Sequence, residues 1–361
     1  MQPNPPGQTA GPTNYQAMDV MRCVMAMLVV ALHSQPLSQI WPRVDLFIVE
    51  VLGRLAVPFF FLASGFFFFR KIEHSNGKML RESADPGRLK TYLVRLLRMY
   101  AIWSVIYLPL VIYQWGKNEN GITVNLLFLL RNTLFTGAVG HLWYFTALMF
   151  AVLALWMLLR YVHIHYILGL ALVLYLVGMF DLAYSVFIRD TVLQHLFGAY
   201  NLVFATTRNG LFFGLLFVAV GAKLSWMDTA KFRPAVVAPL LAAVLAVMFY
   251  EVSALKSAGW EHGFDTYLSL VPAAVLLFVF LLNVGRGGRE RPIYTYLRNA
   301  SLLIYVSHIA FLYVVPKVFA LEEQKLPIFL VSSACTLALA VGTIWLSRTY
   351  KSLAFLKHVY G

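Results

Sequence analysis

Residues 17–36 read AMDVMRCVMAMLVVALHSQP. An apolar run of about twenty residues is the length that crosses a hydrocarbon core of about 30 Å as one helix at about 1.5 Å per residue. Further runs of the same kind follow near 46–69, 92–114, 141–160, 163–183, 207–224, 235–253, 264–284, 299–318 and 327–347, making ten spans. Residues 122–136 form a shorter run interrupted by Arg131 and Asn132, which reads as a re-entrant or interfacial helix. The whole chain has this character: of 361 residues 60% are hydrophobic and 12% charged, with a mean hydropathy of +0.72. No ordinary soluble domain has such a composition. Its 28 Phe, 19 Tyr and 8 Trp suit a helical bundle with interfacial aromatics, whereas a transmembrane barrel would show short alternating segments. The expected fold is an all-α, polytopic helical membrane protein with no length left for a soluble catalytic domain.

The formal charge of +13 reports topology before it reports partners. With the N-terminus inside, most of the 29 Lys and Arg, among them Arg22, Arg70, Lys71, Arg88, Arg95, Arg98 and Arg298, fall on the cytoplasmic side. Both termini are therefore expected in the cytoplasm, and no nucleic-acid partner is implied. Residues 1–14 lack the basic start and apolar core of a signal peptide and read as a disordered tail. The transmembrane domain is expected over 15–350, followed by a short cytoplasmic tail over 351–361. Cys23 and Cys335 lie far apart in apolar runs and suggest neither a disulfide nor a metal site. His163 and His165, two residues apart, do not share a helix face, so no metal pair is assigned to them.

Charged or ionisable residues inside a span cost about 2.5 to 3.5 kcal/mol on insertion scales and point to function. Arg22 and His33, eleven positions apart, lie on one helix face with a rise of about 16 Å between them. Each also has a bland reading: Arg22 as a snorkelling anchor and His33 as a packing residue. Arg95 and Arg98 open the third span at i and i+3, a spacing at which two guanidiniums can grip phosphate oxygens. Positive-inside anchoring explains them as well.

Arg22 through His33 resembles the arginine, ten residues, histidine signature of the membrane-bound acyltransferase-3 family. Val57-Pro58-Phe59-Phe60-Phe61-Leu62-Ala63-Ser64-Gly65-Phe66 is similar to that family's second-helix segment, Arg95 with Arg98 to its paired arginines, His141-Leu142-Trp143-Tyr144-Phe145 to its His-Leu-Trp-aromatic stretch, and Tyr305-Val306-Ser307-His308 to its Tyr-x-x-His. Arg208-Asn209-Gly210-Leu211-Phe212-Phe213-Gly214 looks closest to compact members, among them the membrane half of serine racemases. The resemblance implies an enzyme of the bacterial inner membrane that moves an acetyl or other short acyl group from cytosolic acyl-CoA to a hydroxyl of a cell-surface glycan or lipid-linked acceptor. Val57, followed by Pro58, stands where many relatives carry an aspartate two residues ahead of the Phe-Phe pair. A carboxylate partner is then expected from Asp45 or Glu50. No fused esterase-like domain is expected.

Thioester-to-alcohol transfer needs a base for the alcohol proton, and imidazole titrates near neutrality. His33 is assigned that role, with Arg22 lining the path or steadying the thioester oxygen. Arg95, Arg98 and Ser64 are assigned to acyl-CoA, with acetyl-CoA as the expected donor. His141, Trp143, Tyr144, Arg208, Asn209 and Glu50 are assigned to the acceptor. An interfacial girdle explains His141 and Trp143 equally, and an ion pair with Asp181 or Asp190 explains Arg208. Tyr305 and His308 read as helix-packing residues. Ser64 is not in a Gly-x-Ser-x-Gly elbow, and neither a P-loop nor a Gly-x-Gly-x-x-Gly stretch opens a helix. A transporter or flippase of the same fold, its intramembrane polar residues lining a pathway, is the competing reading. No internal repeat favours it.

Overall fold

The computed structural model describes residues 15–80, 85–259, 266–284, 291–321 and 323–361. The tail expected over 1–14 lies outside the described residues. The helices are α1 (Gln16–Ser34), α2 (Pro42–Phe69), α3 (Pro86–Trp115), α4 (Ile122–Phe135), α5 (Trp143–Leu158), α6 (Ile164–Met179), α7 (Val192–Phe204), α8 (Gly210–Ser225), α9 (Pro234–Ser257), α10 (Leu270–Asn283), α11 (Pro292–Val318) and α12 (Lys325–Thr349). Six of these, with the joined run Ile122–Leu158, are long and apolar enough to cross a membrane, while α6, α8 and α10 are shorter apolar helices. The chain is an all-α polytopic membrane protein.

The centre of the bundle is aromatic. Phe59, Phe61 and Phe69 of α2, Phe145 of α5, Phe213 and Phe217 of α8 and Phe278 of α10 are fully or almost fully buried. The Ala56–Phe69 part of α2 is apolar on every side except at Ser64 and buries most of its residues, so it sits inside rather than at the lipid boundary. It packs on α8 at backbone distance: a Cβ on Gly65 would lie 2.2 Å from the Val218 carbonyl oxygen, and one on Gly221 2.2 Å from that of Leu62. α1 packs along α11, and α11 along α12.

Caps set several helix starts. Asp85 accepts from the Gly87 amide at 2.8 Å ahead of Pro86, and Asn209 accepts from the amides of Leu211 and Phe212 at 2.9 and 3.1 Å. Glu251 of α9 accepts from the Leu268 and Ser269 amides at 2.7 and 3.0 Å, fixing the entry to α10.

Several elements differ from a hydropathy reading. α3 begins at Pro86, because its basic first turns continue the helix beyond the apolar run. The 122–136 segment is a helix of 14 residues, about 21 Å long and so shorter than the hydrocarbon core, and it ends at Thr136. α7, which carries no expectation from hydropathy, lies beside it, with Phe135 and Phe204 rings 5.1 Å apart. Within the basic loop, β1 (His74–Ser75) and β2 (Lys78–Met79) pair antiparallel around Asn76-Gly77, both at positive φ. The segment after α12 turns back as a 3₁₀ stretch (Lys351–Val359): Trp103 Nε1 donates to the Val359 carbonyl at 2.9 Å, and the Tyr360 hydroxyl meets Ser347 Oγ at 2.7 Å.

Candidate active site

A cavity of about 1220 Å³ opens where the N-terminal ends of α1, α3 and α11 meet the C-terminal end of α2. These are the ends that the Lys and Arg distribution assigns to the cytoplasm. Among the described residues, six cations line it, namely Arg22, Arg70, Lys71, Arg88, Arg95 and Arg298, against two carboxylates, Asp19 and Asp85. Both carboxylates are engaged, Asp85 as the α3 cap and Asp19 with Arg22. Arg88 donates to the Lys71 carbonyl, tying the start of α3 to the end of α2. The wall thus presents exposed guanidiniums at the mouth and a single paired one, Arg22, deeper in.

The deep end is built from hydroxyls and rings. Ser64 Oγ lies 3.1 Å from the Tyr144 hydroxyl, which also donates to the Phe60 carbonyl at 3.3 Å. Arg22 stands 5.0 Å over the Phe67 ring and is bonded to Asp19 at 2.7 Å. Tyr305 of α11 closes this end: it lines the cavity, and its hydroxyl donates to the His141 carbonyl.

Behind Tyr305 lie three imidazoles from three parts of the chain. His308 of α11 is fully buried, with its ring 5.2 Å from that of His33 on α1 and 5.2 Å from that of His141 just before α5. His33 itself is exposed. The rings of His141 and His308 each lie 6.1 Å from that of Tyr305, so one tyrosine touches both the cavity and the histidines.

The sequence-assigned residues therefore fall into separate groups. Arg22, Ser64, Arg95 and Tyr144 share the cavity, although Tyr144 had been placed with the acceptor. Arg98 does not line it, because the 60° offset of an i, i+3 pair turns it from the face that Arg88 and Arg95 share. Trp143 is buried against Phe61 and Phe213, with the Arg208 guanidinium 5.0 Å over its ring, so its faces are occupied by protein. Asn209 is spent as the α8 cap, its Nδ2 also donating to the Tyr200 hydroxyl at 2.8 Å. Glu50 is buried and accepts from Arg54 at 2.8 Å, while Asp45 accepts from the Leu37 amide at 2.8 Å, so both carboxylates hold local structure. Asp181 is bound by Asn201 and Thr207 at 2.7 and 2.9 Å. His308, read as packing, joins the histidine cluster; its place one turn from Tyr305 was the available signal.

Residues 15–345 match the model of the acyltransferase-3 family, described as an acyltransferase domain. The chain is similar to a serine/alanine racemase of Enterococcus gallinarum, 29% identical over 272 residues that cover 74% of this chain and 37% of the relative. Two amino-acid racemases of Enterococcus faecalis are 26% and 27% identical over 292 and 341 residues, covering 80% and 92% of this chain and 38% and 46% of theirs. The chain thus spans less than half the length of these curated relatives. No solved structure matches.

Proposed function

The chain belongs to the acyltransferase-3 family and is a membrane acyltransferase, and from that premise we propose that it transfers an acetyl or other short acyl group from acyl-CoA to a hydroxyl of a surface glycan or lipid-linked acceptor in a bacterial inner membrane. The cavity carries this reading. Its cation-rich mouth suits the phosphates of a CoA thioester, and its length inward to Arg22, Ser64 and Tyr144 suits the pantetheine arm. In that pose Arg88, Arg95 and Arg298 bind phosphate. Arg22 and the Ser64 and Tyr144 hydroxyls surround the thioester, where donors in a site of low dielectric stabilise developing oxyanion charge.

The acceptor reaches the thioester from the side of His33. Its hydroxyl proton passes to the imidazole as its oxygen attacks, and the thiolate of CoA leaves toward the cavity mouth. Tyr305 marks the meeting point, because it belongs to both compartments.

Purified protein incubated with radiolabelled acetyl-CoA and bacterial membranes as the acceptor source should release CoA and label a glycan or lipid fraction. His33→Ala should retain its CoA binding while labelling falls by about 10²-fold, the scale of a lost general base. Wild-type protein that binds CoA without releasing it from the acyl group would exclude the transfer and favour the transport reading.

A further inference from the structure

Residues 351–361 lie beyond the stretch that matches the acyltransferase-3 model, which ends at 345, and the sequence alone makes them a cytoplasmic tail. They nevertheless reach the donor cavity. Tyr360 is buried and lines its wall, as do Arg95, Leu96 and Met99 of α3. Several bonds pin the segment there. Trp103 Nε1 of α3 donates to the Val359 carbonyl at 2.9 Å, and the amides of Tyr360 and Gly361 both donate to the Lys357 carbonyl, at 3.3 and 2.9 Å. Ser347 Oγ of α12 gives its single proton to the Ile344 carbonyl at 2.9 Å, so in its 2.7 Å bond with Tyr360 the phenol is the donor. The nine residues Lys351–Val359 form one 3₁₀ run, and such runs seldom exceed three or four residues. Tertiary anchors therefore hold a segment whose local geometry is unfavourable.

Arg95 is the cation that the segment meets. A Cβ on Gly361 would stand 2.3 Å from Arg95 Nη2 and 2.9 Å from its Cζ, so the guanidinium lies against the Gly361 backbone. The other arginines of the cavity are held by different means: Arg22 by Asp19, Arg88 by the Lys71 carbonyl, Arg298 by the Thr295 hydroxyl at 3.1 Å, and Arg70 over the Tyr15 ring at 5.4 Å. Among the described residues Arg95 has no hydrogen bond or ion pair, so its contact with Gly361 is what confines the guanidinium on that side. A long side chain already confined loses less freedom when it binds phosphate, and affinity rises by that preorganisation.

Resting on the reading of the cavity as the acyl-CoA site, we infer that Tyr360 and Gly361 are positioning residues for the donor: Tyr360 anchors the segment, Gly361 seats Arg95, and the seated guanidinium meets the CoA phosphates. The coupling runs both ways. Whatever the docked segment adds to CoA affinity, bound CoA adds to the docking. Its sign separates this role from an autoinhibitory strap, which phosphate would expel from Arg95 and whose docking would oppose the donor.

The test follows full-length protein in detergent by hydrogen exchange and by calorimetry with CoA. Saturating CoA should slow amide exchange across 351–361 by about fivefold or more. Faster or unchanged exchange overturns the inference. Tyr360→Ala should raise the Kd for CoA by roughly tenfold, and Ser347→Ala, which lies outside the cavity and removes only the partner of the phenol, by about threefold. Gly361→Ala, at φ 137° and with its methyl against the guanidinium, disturbs the seat of Arg95 while leaving the Tyr360 anchors in place, and should cost about threefold or more. In an Arg95→Ala background each of the three should change Kd by less than about twofold, because a residue acting through Arg95 has nothing left to act on. Equal losses with and without Arg95 make the segment a structural wall and sink the proposal. With radiolabelled acetyl-CoA and bacterial membranes, Tyr360→Ala should raise KM for acetyl-CoA while kcat stays within about twofold; a fall in kcat at unchanged KM counts against it. Wild-type protein that binds no CoA removes the acyl-CoA reading. Exchange without ligand still decides the contact, since Arg95→Ala should speed it across 351–361, and an unchanged rate would deny that Arg95 and the segment support one another.

Discussion

Asp19 and Arg22 form an ion pair of 2.7 Å inside the cavity, one turn apart on α1. The carboxylate satisfies a guanidinium that faces the space proposed for the thioester. Arg22→Ala should therefore weaken CoA binding by roughly ten- to a hundredfold, since a hydrogen bond to a charged group is worth about 1.5 to 3 kcal/mol. Asp19→Asn removes a competing acceptor and should tighten binding by roughly fivefold, the scale of about 1 kcal/mol. Calorimetry in detergent measures both. Weaker binding in Asp19→Asn would mean that Asp19 serves to aim Arg22 and does not compete for it.

The paired arginines at the start of α3 are unequal. Arg95 lines the cavity on the same face as Arg88, and Arg98 does not. Arg95→Ala should raise the Kd for CoA by roughly ten- to a hundredfold, and Arg98→Ala should change it by less than about threefold. Equal losses from both would show that Arg98 reaches the phosphates once the ligand is bound.

How much of this was legible in the sequence depends on the scale of the signal. Spans were, because an apolar run of about twenty residues has few other uses in a protein. α7 was not, because its 13 residues of mixed polarity carry neither the length nor the hydropathy of a span. The hairpin at 74–79 was signalled only by Asn76-Gly77 inside a basic loop. Arg22, Ser64 and Arg95 were singled out by motif, and the fold brings them to one cavity. The adjacency of His308 to two other imidazoles was hidden for a physical reason. Its neighbours His33 and His141 come from distant segments, and only the packing of α11 between α1 and the 140–142 turn makes them adjacent. Asn209 and Glu50 were singled out by residue type, and the fold engages them in a cap and an ion pair, which use the same residue types as a binding site.

Gly65 and Gly221 hold α2 and α8 together by having no side chain. A Cβ at either would meet a backbone carbonyl oxygen of the facing helix at 2.2 Å, and backbone cannot yield as a flexible side chain does. Gly65→Ala and Gly221→Ala should each destabilise the protein by about 1 to 3 kcal/mol, the cost of overpacking. Thermal unfolding in detergent should show lower midpoints for both. Because Ser64 adjoins Gly65 and faces the cavity, the Gly65 variant should also lose CoA affinity, whereas Gly221→Ala should keep more of it. Unaltered melting in both would require that the two helices separate at little cost.

The last expectation concerns whether the acyl group ever rests on the protein. Ser64 is the hydroxyl best placed for a covalent relay, lying within the cavity, yet the neighbour bonded to it is the Tyr144 phenol at 3.1 Å. A neutral phenol carries a proton of its own and is a poor base at neutral pH, so this pair lacks the activated-nucleophile arrangement in which an imidazole or amine takes the serine proton. The three imidazoles stand beyond Tyr305, on the side from which the acceptor is proposed to arrive. That arrangement favours direct attack of the acceptor oxygen on the thioester within a ternary complex. Protein incubated with radiolabelled acetyl-CoA but no acceptor, then denatured, should carry no stoichiometric label, and Ser64→Ala should still transfer acetyl, with weaker donor binding. Label that a fresh acceptor discharges from the wild type and that Ser64→Ala cannot form would instead establish an acyl-serine and move the base to a group within reach of Ser64.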